Sequence, residues 1–162
     1  AVMTQWERTL DVQMQVGDLC VLKWGEYCCG KQEGQLFSVG YRARRPWRSP
    51  LSAEPGQRVP YECSVEKGAT GPNFVVQALV TPPHIWYGYT PSEPWIKAAK
   101  AINKRHNLKL TETVSGAHLF GFSLQEVISR IETLPGADSF RKGVTLSPSK
   151  ATLRPKRGAS EA

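Results

Sequence analysis

The most reactive side chains in this sequence are four cysteines and three histidines, and their spacing argues against chemistry. Cys20, Cys28, Cys29 and Cys63 form no C-x-x-C pair, and an adjacent Cys28-Cys29 is awkward for a tetrahedral zinc site. His84, His106 and His118 lie far apart and lack metal-ligand spacing. A Cys/His hydrolase could be drawn from Cys63 and His118, but no local nucleophile motif accompanies them. The carboxylates are scattered, and neither a P-loop nor a G-x-G-x-x-G fingerprint is present. The expectation is therefore no catalytic residue, no metal, no cofactor and no small-molecule substrate. The cysteines read as reduced, mostly buried thiols of an intracellular protein, because a chain of this size without a secretory signal is not a disulfide framework.

Two other clusters could bind rather than react. Tyr41-Arg42-Ala43-Arg44-Arg45-Pro46-Trp47-Arg48 is the densest basic and aromatic stretch. Arginine grips phosphate bidentately, and aromatic rings stack on bases or guanidinium planes. Trp86, Tyr87 and Tyr89 have the composition of a binding hot spot, or equally of a cover for a sheet edge. Arg42, Arg44, Arg48, Trp86, Tyr87 and Tyr89 are thus the candidate contacts to a protein or nucleic-acid partner.

The elements that would position these residues can be read from periodicity. Strands are expected at 19–24, 36–41, 61–66 and 74–80, the last two forming a hairpin across the 67–72 turn. Residues 42–58 and 82–94 read as loops, on their Arg, Pro and aromatic content. A helix from about Ser92 to about residue 106 buries Trp95, Ala98, Ala99 and Ile102. Residues 108–113 read as extended. A second helix over 123–134 opens with a Ser123/Glu126 capping box. It carries Leu124, Val127, Ile128, Ile131 and Leu134 on one face and stops at Pro135-Gly136. Phe140 to Leu146 reads as a last edge strand. Strands first and helices later imply α+β, an antiparallel sheet with helices packed on it.

The 162 residues fit one domain, and the formal charge of +7 is concentrated at one end. Residues 141–162 hold six basic side chains against Glu161, leaving 15 basic and 13 acidic elsewhere. Residues 147–162 are expected to be a disordered basic tail, with nuclear targeting or nucleic-acid attraction as its functional alternative. No run of about 18 apolar residues occurs, so no membrane partner is expected. Ala1 to Leu10 lacks the apolar core of a signal peptide, and the abrupt start suggests a fragment of a longer protein.

Two segments together resemble the FYR module, whose halves are the FY-rich N-terminal and C-terminal domains. The first is carried by Leu36 to Tyr41, then Arg45, Trp47, Ser49, Arg58, Tyr61, Cys63, Val65, Gly71-Pro72 and Phe74. The second is carried by Pro91-Ser92, Trp95, Ser115-Gly116, Leu119-Phe120-Gly121, Val127, Ile131-Glu132 and Leu134-Pro135-Gly136-Ala137. The resemblance covers roughly residues 16–146, with halves at 16–80 and 85–146. It implies one intertwined α+β module that serves association and not catalysis. It also implies a nuclear, chromatin setting, since the module occurs in mixed-lineage-leukaemia-type histone methyltransferases, some jumonji-type demethylases and transforming growth factor beta regulator 1. Gly40, Tyr41, Arg45, Trp47, Tyr61, Phe74, Phe120, Gly121, Leu134, Pro135 and Gly136 would then be structural. Two departures stand out: Pro60 where a strand residue is expected, and the aromatic, Pro-rich linker from Thr81 to Tyr89. The implied function is a protein-interaction module in a chromatin complex. The alternative is a nucleic-acid-binding module using Arg42 to Arg48 and the tail.

Overall fold

The structure is a computed structural model that describes residues 11–32, 35–51, 54, 56–106 and 114–143. Six strands form one antiparallel sheet in the order β1-β2-β5-β6-β7-β8, and β3 and β4 form a separate hairpin. The strands are β1 Met14–Val16, β2 Leu19–Lys23, β3 Tyr27–Gln32, β4 Gln35–Val39, β5 Arg42–Arg48, β6 Arg58–Lys67, β7 Pro72–Ala78 and β8 His84–Gly88. The helices are α1 Ser92–His106, α2 Gly116–Phe120, α3 Gln125–Ile131 and α4 Ala137–Gly143. The expected α+β class is what the chain adopts.

Alternation along β6 organises the sheet. Successive side chains point to opposite faces, and Tyr61, Cys63 and Val65 are buried while Glu62 and Ser64 are half-buried. The register extends this across neighbours: Cys63 faces Ala43 on β5 and Val76 on β7, and Val76 faces Trp86 on β8. The inner face therefore carries Val21, Ala43, Tyr61, Cys63, Val65, Phe74, Val76, Ala78 and Trp86. The 61–66/74–80 hairpin is present, closed by a Gly68 N–H to Gly71 carbonyl bond of 2.8 Å.

Helix α1 covers one end of that face. Trp95, Ala98, Ala99 and Ile102 recur at helical spacing and are fully buried. Trp95 lies 5.4 Å from the Tyr61 ring in a stacked pose and 4.9 Å from Trp47 edge-on. The other end holds an aromatic cluster. Phe37 meets Phe74 at 5.0 Å, Phe74 meets Phe120 at 5.7 Å, and Phe120 stacks on Phe122 at 5.2 Å.

Several expectations need correction. Residues 42–48 are a central strand, not loop. Pro46 faces Pro60 directly, and two residues lacking N–H groups can face each other only where the ladder needs no hydrogen bond. This also places Pro60 comfortably inside β6. The 82–94 segment contains β8, also not loop. The strands β1 and β3 lie outside the expected set. The capping box does not form: α3 starts after Leu124 with no side-chain cap, and Ser123 Oγ sits 3.3 Å from His118 Nδ1 instead. The helix is correspondingly shorter, and α2 precedes it as a separate turn. Residues 137–143 are helix, where an edge strand was expected from 140. The 108–113 extension and the 147–162 tail lie outside the described residues.

Candidate association seam

The polar motif residues converge on the line where the first part of the chain meets the second. Tyr41 is fully buried, and its hydroxyl donates to the Phe120 carbonyl at 2.7 Å. Arg45 donates to the Leu119 carbonyl at 3.2 Å and to Asp18 at 2.9 Å. Both carbonyls belong to the end of α2, where carbonyls lack helical partners and a cation is favourable. Asp18 also reaches Arg58 at 3.4 Å, so one carboxylate orients two arginines. Tyr61 is anchored differently, its hydroxyl donating to the Arg48 carbonyl at 2.6 Å.

Two glycines permit these approaches. Gly121 ends α2 at φ +93°, and a Cβ there would lie 2.5 Å from Leu19 Cδ2 and 3.1 Å from the Tyr41 hydroxyl. Gly136 has φ +88°, and a Cβ there would meet the Cys28 carbonyl at 3.1 Å. The preceding residue completes this contact: the Cys28 N–H donates to the Pro135 carbonyl at 2.8 Å. Pro135-Gly136 thus docks the β3–β4 hairpin; it does not end α3, which stops at Ile131, and it leads instead into α4. Gly40 donates its N–H to the Val65 carbonyl at 2.9 Å, at the kink leading into β5. Leu134 was expected on the core face with Val127 and Ile131. Those two are buried, whereas Leu134 is half-buried.

Burial shifts two thiols and two phenols near the seam. Burial pushes the Cys63 thiol up to about 12 and the Cys29 thiol to about 11. Burial likewise raises the Tyr41 and Tyr61 phenols. The Cys63 thiol points at the Ala43 carbonyl, 3.6 Å away, while His118 is exposed and bonded to Ser123. A thiol held protonated in a sheet interior is a poor nucleophile. The described cysteines are free thiols.

The predicted contact residues divide between faces. The alternation puts Arg42, Arg44, Arg48 and Tyr87 on the outer face of the sheet, with Ile85 beside them. Trp86 points inward, stacked 6.3 Å from Tyr61. Tyr89 follows β8 and is 72 % exposed. Arg44 and Arg42 both reach Glu62, at 2.9 and 3.4 Å. Sequence reading missed Glu62 and Asp18, because their arginine partners become neighbours only through strand register. The outer edge of β8 is occupied by α1: Lys97 Nζ donates to the Tyr87 carbonyl at 2.7 Å, and Glu93 accepts the Tyr89 N–H at 2.5 Å. Such caps discourage strand addition.

Family models match the chain twice: F/Y-rich N-terminus over residues 11–68 and F/Y-rich C-terminus over residues 71–142. This chain belongs to the FYR family. The boundary falls in the β6–β7 turn, so the FYRN half supplies β1 to β6 and the FYRC half supplies β7, β8 and all four described helices. The two halves share one six-stranded sheet, and the Tyr41–Phe120, Arg45–Leu119 and Cys28–Pro135 bonds cross between them. FYRN and FYRC are interaction-type domains and not catalytic families. Among curated proteins nothing matches the chain.

Proposed function

We propose that this FYR module is a non-catalytic protein-interaction module of a nuclear, chromatin-associated protein or histone-modifying complex. The observation that carries the reading is the use made of the motif residues. Tyr41, Arg45, Phe120, Gly121, Pro135 and Gly136 all join FYRN to FYRC. Their chemistry is spent on holding the halves together, which leaves the assembled surface to recruit a partner. On this reading residues 16–146 act as a single unit, and Arg42, Arg44, Arg48, Tyr87 and Tyr89 on or beside the outer face contact the partner. Trp86 supports that face from beneath.

The nucleic-acid alternative is weakened by Glu62, which neutralises part of the Arg42 and Arg44 charge. Affinity purification from nuclear extract, with the Tyr87→Ser/Arg42→Ala double variant as control, tests the proposal. Recovery of histone-modifying subunits by the parent chain and their loss with the variant is the expected result. Recovery of no nuclear protein would contradict it. Tight binding to duplex DNA that falls steeply with salt, and is lost with Arg42→Ala, Arg44→Ala and Arg48→Ala, would instead establish the alternative.

A further inference from the structure

A cleft of about 730 Å³ lies across the seam, away from the outer-face residues of the preceding proposal save Arg42. Its first wall comes from FYRN: Leu22, Lys23, Trp24 and Arg42. Its second wall comes from the end of α3 and the turn beyond it in FYRC, with Arg130 and Leu134. The Arg130 guanidinium lies over the Trp24 ring, 5.0 Å from the ring centroid. A guanidinium packed against an indole keeps N–H groups available for bonding to a carboxylate. Among the described residues no carboxylate lies within ion-pair distance of Arg130 or Lys23. The remaining cation, Arg42, is shared with Glu62. The lining also contains Asp11 and Glu26, so with Arg42 held by Glu62 the cations left to meet an incoming carboxylate are Arg130 and Lys23. Trp24 and Leu134 are half-buried and Leu22 is buried, giving an apolar floor beside the cations.

We infer that this composite cleft binds an acidic peptide segment, an apolar side chain resting on Leu22, Trp24 and Leu134 and an adjacent carboxylate on Arg130. The inference rests on the association reading, because the walls belong to different halves. The cleft exists only when FYRN and FYRC are joined, so an occupant that binds it stabilises the joined state by mass action.

The probe is a fluorescein-labelled synthetic peptide, Gly-Ser-Leu-Phe-Asp-Glu-Ser-Gly, titrated onto the full chain by anisotropy. A matched peptide has Lys-Lys for Asp-Glu. The indole N–H of Trp24 is followed by NMR. The expected result is saturable binding of the acidic peptide, a Trp24 shift, and binding weakened roughly tenfold or more by Arg130→Glu. Lys23→Glu, an exposed change, weakens it as well. Absence of binding, equal binding of the lysine peptide, or indifference to Arg130→Glu overturns the inference. So does displacement of the bound peptide by duplex DNA, which would make the cleft a phosphate site. Hydrogen exchange of the Cys28 amide on the same samples separates the two readings. If that amide stays protected while the peptide fails to bind, the cleft proposal alone is wrong. An unprotected Cys28 amide would instead count against the seam.

Discussion

The two faces of the six-stranded sheet solve opposite problems. The inner face is aromatic and closed; Tyr41, Arg45 and Tyr61 each reach a backbone carbonyl, while Arg45 Nε and the Trp95 indole N–H are buried without a partner among the described residues. The outer face is open and ion-paired: Arg42 and Arg44 meet Glu62 at β5 and β6, and Ile85 and Tyr87 on β8 are 43 % and 51 % exposed. The same ten residues of β6 serve both. The motif that identifies the family describes the inner face almost entirely. A family match therefore explains how the halves adhere and leaves the partner to be sought on the outer face and in the cleft.

The comparison can be broken from the inner face first. Phe120→Ala removes a buried ring that touches Phe74 and Phe122, and should cost about 3–5 kcal/mol in chemical denaturation. A loss below about 1 kcal/mol would mean that the seam is not the core. High pH is the next lever. Cys29 and Cys63 have folded-state values above their usual 9.0, at about 11 and about 12. The unfolded thiols ionise first, so the folded state loses stability as pH rises from about 9 through those values. Thermal melts should be level below that window and fall within it, and Cys63→Ala should flatten the fall. Tyr41→Phe leaves the Phe120 carbonyl without its donor, at a cost of about 1–3 kcal/mol. Leu134→Ala should cost less than the ~2 kcal/mol lower bound for a buried leucine, because Leu134 is half-buried at the cleft. On the outer face, Arg44→Ala and Tyr87→Ser should each stay within about 0.5 kcal/mol. A large loss there would erase the distinction between the faces.

Much of this architecture is legible in the sequence where apolar residues alternate. Tyr61 to Val65 and Phe74 to Ala78 declare a hairpin, and Trp95, Ala98, Ala99 and Ile102 declare a helix. β5 is hidden because its outward positions are arginines and its middle is a proline. Only the register with β6 shows that Glu62 and Pro60 answer them. β8 is hidden in the same way, by prolines before it and aromatics within it. The Ser123/Glu126 pattern misleads because His118, brought close by α2, bonds the serine. The seam was legible through the family resemblance and not through periodicity, since the Tyr41–Phe120 and Arg45–Leu119 bonds join residues more than 70 positions apart. The pairing of Arg130 with Trp24 has no sequence signal at all, because neither belongs to a motif and each lies on a different half.

The claim at the centre of the account is that FYRN and FYRC fold as one. The direct test divides the chain in the β6–β7 turn, between Ala69 and Thr70, and follows unfolding of each fragment and of their mixture by circular dichroism. The account predicts no cooperative transition in either fragment and a single cooperative transition on mixing, abolished by Phe120→Ala. Two fragments that each melt cooperatively alone, and whose mixture melts as their sum, would contradict it.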